Sequence, residues 1–139
     1  MQIEVITREP TADARPTPLL FVHGAWGGAW QWDEYFLPYF AGKGYTVHAL
    51  SLRGHGASEG RVFGARIRDY LADVVQVAAG LPTPPVMIGH SMGGYIVQKY
   101  LETHAAPAGV LVASATPNNN LPMMLRIMRM MPGPMLRGS

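Results

Sequence analysis

Residues 86–102, VMIGHSMGGYIVQKYLE, constrain this chain more than any other stretch. An apolar run leads into Gly-His-Ser-Met-Gly, and residues that favour helix follow without a spacer. That order describes a strand, a sharp turn and a helix, with Ser91 at the apex. A strand that turns straight into a helix forces its apex residue into a strained backbone, and bulky neighbours would clash there. Gly89, Gly93 and Gly94 leave the required space. The helix N-terminus then aims its free N–H groups and positive dipole end at Ser91.

The rest of the chain repeats the alternation of strand and helix. Residues 1–8 read as an edge strand and residues 9–18 as a polar, proline-rich loop. Residues 19–24, LLFVHG, form a continuous apolar run closed by glycine, the pattern of a strand buried on both faces. AWGGAW reads as loop, and 30–41 as a helix interrupted or capped near Pro38. A second buried strand is expected over 45–52, then a second glycine-rich loop, RGHGASEG. Ile67, Tyr70, Leu71, Val74, Val75 and Ala78 recur three and four apart, which predicts an amphipathic helix over 66–79. Strands over 84–89 and 109–114 flank the helix over 92–104. Such alternation predicts an α/β fold, a parallel sheet with helices on both faces. Ligands in such sheets bind at the carboxyl ends of the strands, where HGAWGG, RGHGAS and GHSMGG gather.

Composition narrows the function classes. The 139 residues suffice for one domain with a real core, and only 14% are charged. That low fraction suggests apolar surface covered by another chain or by further sequence. The net charge of +2 is scattered, so nothing resembles a nucleic-acid footprint. Without cysteine there is no disulfide or thiolate metal site, and no cofactor is expected. The start lacks the apolar run of a signal peptide, and no apolar stretch approaches the roughly 20 residues of a membrane span. A cytoplasmic protein is the expectation. After Thr116 the character changes: residues 117–139 are rich in methionine, with Arg126 and Arg129 the charges of the part with helical spacing. This divides the chain into a core over 1–116 and an apolar segment over 117–139, suited to a cap or an oligomer interface.

The stretches LLFVHGAWGGAW, LSLRGHGASEG and VMIGHSMGGYIVQKYLE together resemble the α/β-hydrolase superfamily, closest to its esterase and hydroxynitrile-lyase-like branch. The resemblance covers most of 19–102 and implies Ser91 as nucleophile. It places the backbone N–H groups of Ala25 and Met92 at the oxyanion, with Trp26 lining an apolar substrate pocket. Trp26 reads equally well as plain core. Members of the family carry an acid and a histidine after further strands, in the order Ser, acid, His. Here only Glu102 and His104 are available after Ser91, both late in the following helix. The expected architecture is therefore a truncated α/β-hydrolase fold.

His55 lies in a loop at the correct sheet edge and is the candidate stand-in base, although a loop histidine that holds backbone is the weightier reading. His23 reads as fixing the oxyanion loop, His90 as leaving the elbow on its other side, and His48 as buried in a strand. Asp33, Asp69 and Asp73 read as solvated helix faces or helix starts. The expected function is a serine hydrolase of short carboxylic esters, self-associating through its open sheet edge. A catalytically impaired fragment and a non-catalytic ligand-binding module are the alternatives.

Overall fold

The computed structural model describes residues 1–116; the Met-rich segment 117–139 lies outside the described residues. Five strands form one sheet in the order β1-β3-β2-β4-β5. They are β1 (Val5–Arg8), β2 (Leu19–Val22), β3 (Val47–Leu50), β4 (Val86–His90) and β5 (Gly109–Val112). β1 pairs antiparallel with β3, and the other neighbours are parallel. Four helices connect them: α1 (Trp30–Asp33), α2 (Phe36–Ala41), α3 (Ile67–Ala79) and α4 (Met92–Thr103).

All four residues of β2 and of β3 are buried, which explains why their sequences run apolar without alternating. Side chains still point to opposite faces in turn. Leu19 and Phe21 join Trp32, Leu37 and Ala41 on the α1–α2 side. Leu20 and Val22 join Val74, Ile96 and Val97 on the α3–α4 side. Helices thus cover both faces, as the alternation of elements predicts.

Two expectations need correction. The helix over 30–41 is two short helices, broken at Glu34 and Tyr35 rather than near Pro38. Pro38 sits in the first turn of α2, where its missing N–H leaves no hydrogen bond unmade. Asp73 is not on a solvated face: it is 1% exposed and ion-paired with Arg53 (Nη2 to Oδ1, 2.7 Å). Its Oδ2 also accepts the Arg53 backbone N–H at 2.9 Å. That hydrogen-bonded carboxylate raises the pKa of the Arg53 guanidinium. Helical periodicity places Asp73 on α3, but cannot show that an arginine twenty positions upstream meets it.

Register decides where the loops go. Val22 pairs with both Leu50 and Gly89, so the carboxyl ends of β2, β3 and β4 lie level. The three loops that leave those ends form the site.

Candidate active site

Ser91 sits between β4 and α4 with φ 52° and ψ −119°, a conformation L residues avoid. Its backbone is fixed on several sides. The Ser91 N–H donates to Val112 O (3.1 Å), and its carbonyl accepts from Gly94 and Ala115, each at 3.0 Å. The surrounding glycines are required by close approach. A Cβ at Gly93 would lie 2.5 Å from His23 O, and one at Gly89 would lie 2.7 Å from Gly94 Cα. Gly24, at the end of β2, would place a Cβ 3.2 Å from Ser91 Cβ, so the β2 loop passes directly beside the serine.

That loop is tied to the segment after β3 by side chains from both: His23 on one side, Ser51 and His55 on the other. His23 is fully buried; its Nε2 accepts from the Leu52 N–H (2.9 Å), and its Nδ1 faces Gly24 O at 2.6 Å. A carbonyl only accepts and a backbone N–H only donates, so His23 is neutral with its proton on Nδ1. Burial lowers its pKa to about 4, which agrees with that assignment. The Trp26 N–H donates to His55 Nε2 (3.2 Å), while His55 Nδ1 faces Arg53 O (3.0 Å). The Ala29 N–H donates to Ser51 Oγ (2.9 Å), which donates in turn to Glu4 Oε1 (2.6 Å). Nothing in the sequence pattern signals the Ser51 anchor.

Among the described residues, the N–H groups of Ala25 and Met92 have no hydrogen-bond acceptor. Both residues line a cleft of about 350 Å³ together with Trp26, His55, Arg66 and Tyr70. Trp26 is half-buried at φ 65°, at the cleft wall rather than in the core. Desolvation raises the pKa of Tyr70, so its hydroxyl keeps its proton at neutral pH. A larger apolar groove of about 520 Å³ is lined by Phe21, Phe36, Ile88 and Val110 and touches neither free N–H. The smaller cleft is the one beside Ser91's neighbours.

The five histidines fall in different places. His23 and His55 hold backbone, and His48 is buried in β3 with Nδ1 2.8 Å from Thr7 Oγ1. His90 is exposed, its ring 6.5 Å from that of Trp32 on the α1 side. His104 follows the far end of α4 and stacks on Tyr100; twelve residues of helix separate it from Ser91 by about 18 Å. Both ring nitrogens of His55 meet backbone atoms, Trp26 N–H and Arg53 O. No hydrogen bond joins any histidine to Ser91 among the described residues. Nor do three or more His, Asp or Glu side chains gather there as a metal site would need.

A family model described as "Alpha/beta hydrolase family" matches residues 19–138. The chain is 36% identical over 110 residues to a non-heme chloroperoxidase of Burkholderia pyrrocinia, covering 78% of this chain and 39% of that protein. It is 30% identical to polyneuridine aldehyde esterase of Rauvolfia serpentina, covering 73% and 41% respectively. The crystal structure of a monoacylglycerol lipase from Paleococcus ferrophilus superposes with a TM-score of 0.73 at 22% identity, over 96% of this chain and 53% of that one. The chain thus spans about two-fifths of the length of these curated relatives. No helix among the described residues is long and apolar enough to cross a membrane. With the family model matching residues 19–138, most of its length, this chain belongs to the alpha/beta hydrolase family.

Proposed function

We propose that the chain carries the nucleophile and oxyanion hole of a serine hydrolase acting on short carboxylic esters. One observation carries the reading: Ser91 stands on a strained elbow, and the backbone N–H groups of Ala25 and Met92, without acceptors among the described residues, belong to residues that line one cleft. Ser91 Oγ would attack the ester carbonyl carbon. The carbonyl π electrons would move onto oxygen, and the two N–H groups would stabilise the resulting oxyanion, at about 3 kcal/mol for each donor. Collapse would expel the alkoxide as an alcohol and leave an acyl-serine for water to hydrolyse. The Oγ proton must pass to a base, and hydroxyls are weak nucleophiles without one. His55 was the sequence's candidate, but both of its ring nitrogens are already engaged by backbone.

One relative's name, polyneuridine aldehyde esterase, supports ester chemistry, another is a non-heme chloroperoxidase, and neither chooses a substrate for this chain. Trp26 and Ile67 give the cleft an apolar wall, and Arg66 places one cation on it. These features suit a short acyl or alcohol group better than a long one. The test is hydrolysis of p-nitrophenyl acetate and butyrate by the wild type and by Ser91→Ala at equal protein. We expect release of nitrophenol that Ser91→Ala abolishes; equal rates in both proteins would contradict the assignment.

The absence of a histidine hydrogen-bonded to Ser91 among the described residues favours one second reading, a binding module on a hydrolase scaffold. Saturable ligand binding without hydrolysis would select it. We also propose that a second copy covers β5. All four of its residues are exposed, and β5 is the last strand of the sheet among the described residues. Parallel sheets are ordinarily covered, and unpaired edges recruit partners.

A further inference from the structure

We propose that His55 is a positioning residue of the oxyanion hole. Together with His23, it clamps the two peptide planes on either side of Ala25 and so fixes where the Ala25 N–H points. The inference rests on the roles given above to Ser91 and Ala25. A peptide unit is planar, so holding one of its polar atoms orients the other; the described bonds contain no cis peptide. The Gly24–Ala25 plane is held through its carbonyl, which accepts from His23 Nδ1 at 2.6 Å. The Ala25–Trp26 plane is held through its N–H, which donates to His55 Nε2 at 3.2 Å. With both planes fixed, neither φ nor ψ of Ala25 is free.

His55 performs this task in one protonation state. The Trp26 N–H can only donate, so Nε2 must present its lone pair; Arg53 O can only accept, so Nδ1 must carry the proton. Its surroundings pack closely round the ring. On its own loop, Arg53 is tied to the buried Asp73 of α3 by its backbone N–H and its guanidinium. The ring of His23 lies 4.9 Å away at the end of β2, and that of Tyr70 lies 6.0 Å away on α3. Arg66 lines the same cleft, and His55 itself is 4% exposed. Trp26 has φ 65°, a conformation that a non-glycine residue holds only when its surroundings impose it. The hydrogen bond to His55 is the side-chain contact made by that residue's backbone N–H.

The test uses the full chain and three variants. His55→Phe and His55→Leu remove the acceptor, and His55→Gln restores a side-chain oxygen near the place of Nε2. The first readout is the second-order rate of Ser91 labelling by a fluorophosphonate, whose P=O oxygen occupies the oxyanion hole. The second is hydrogen exchange at the Trp26 backbone N–H. We expect labelling to slow about 100-fold in the two apolar variants, the scale of a displaced oxyanion donor. His55→Gln should regain about tenfold of that loss. Trp26 exchange should quicken about fivefold in the apolar variants, the factor for one ordinary hydrogen bond, and less in His55→Gln. Folded apolar variants that label and exchange like wild type would overturn the proposal. Equal loss of labelling in all three, with Trp26 exchange unchanged, would overturn it in favour of a base role. If the wild type does not label at all, the Ser91 reading fails, and Trp26 exchange alone decides the clamp. Should the variants fail to fold, ¹⁵N shifts of the wild-type imidazole decide. A protonated Nδ1 with a bare Nε2 supports the clamp, and the opposite tautomer overturns it.

Discussion

His23 shows how much a single side chain carries in this site, and how little of that the sequence announces. The His-Gly pair at the end of an apolar run marks a loop beside the elbow. It does not say which nitrogen meets which backbone atom, because that depends on the Leu52 N–H arriving from another strand. The same holds for His55, whose loop position does not reveal that Trp26 and Arg53 meet its two nitrogens. Ser91 is different: small residues at fixed offsets follow from sterics, so the elbow is legible from one short stretch. The neutral state of His23 also has a measurable consequence. Its pKa is about 4 in the fold, against 6.5 when solvated, so the unfolded chain binds more protons between those values. Stability therefore rises with pH across that window, and His48, also shifted down by burial, acts in the same direction. Urea unfolding should show a loss of about 2–3 kcal/mol from His23 between pH 7 and pH 4.5. A flat profile would contradict the buried neutral imidazole.

At the scale of elements, α4 packs where it does because its first turn has no side chains to hold it away. Gly93 lies against the carbonyls of Val22 and His23, so the helix start and the end of β2 touch through backbone. Gly93→Ala should lower stability by about 1–3 kcal/mol, the range for overpacking a tight contact, and should slow labelling of Ser91. A melting curve identical to wild type would mean that the contact is looser than described. The alternation of strand and helix was readable because buried parallel strands and amphipathic helices have different periods. The break between α1 and α2 was not. Glu34 and Tyr35 carry no breaker signal, and the turn there is set by Trp32 and Leu37 both packing toward Phe21 and its neighbours. The burial of Asp73 is hidden from periodicity for a related reason, since its partner, Arg53, comes from the loop after β3.

At the scale of the molecule, the described residues leave β5 uncovered. Val110, Leu111 and Val112 are 45%, 47% and 38% exposed, although they belong to a strand of a parallel sheet. Val110 and Val112 continue into the groove formed by Phe21, Phe36 and Ile88. The low charge of the sequence anticipated such a surface, but composition cannot say where it lies. If a second copy covers it, light scattering at micromolar concentration should give a mass above the 15.1 kDa of one chain, and Val110→Lys should return it to that mass. A wild-type monomer would remove the proposal.

Ser91 is proposed as the nucleophile, and chemical labelling decides whether its hydroxyl reacts as one. The purified chain would be treated with a fluorophosphonate, weighed intact, and digested to map the adduct. We expect one label per chain on the peptide containing Ser91, and none in Ser91→Ala. An unlabelled wild-type chain, or a label mapped elsewhere, would contradict it.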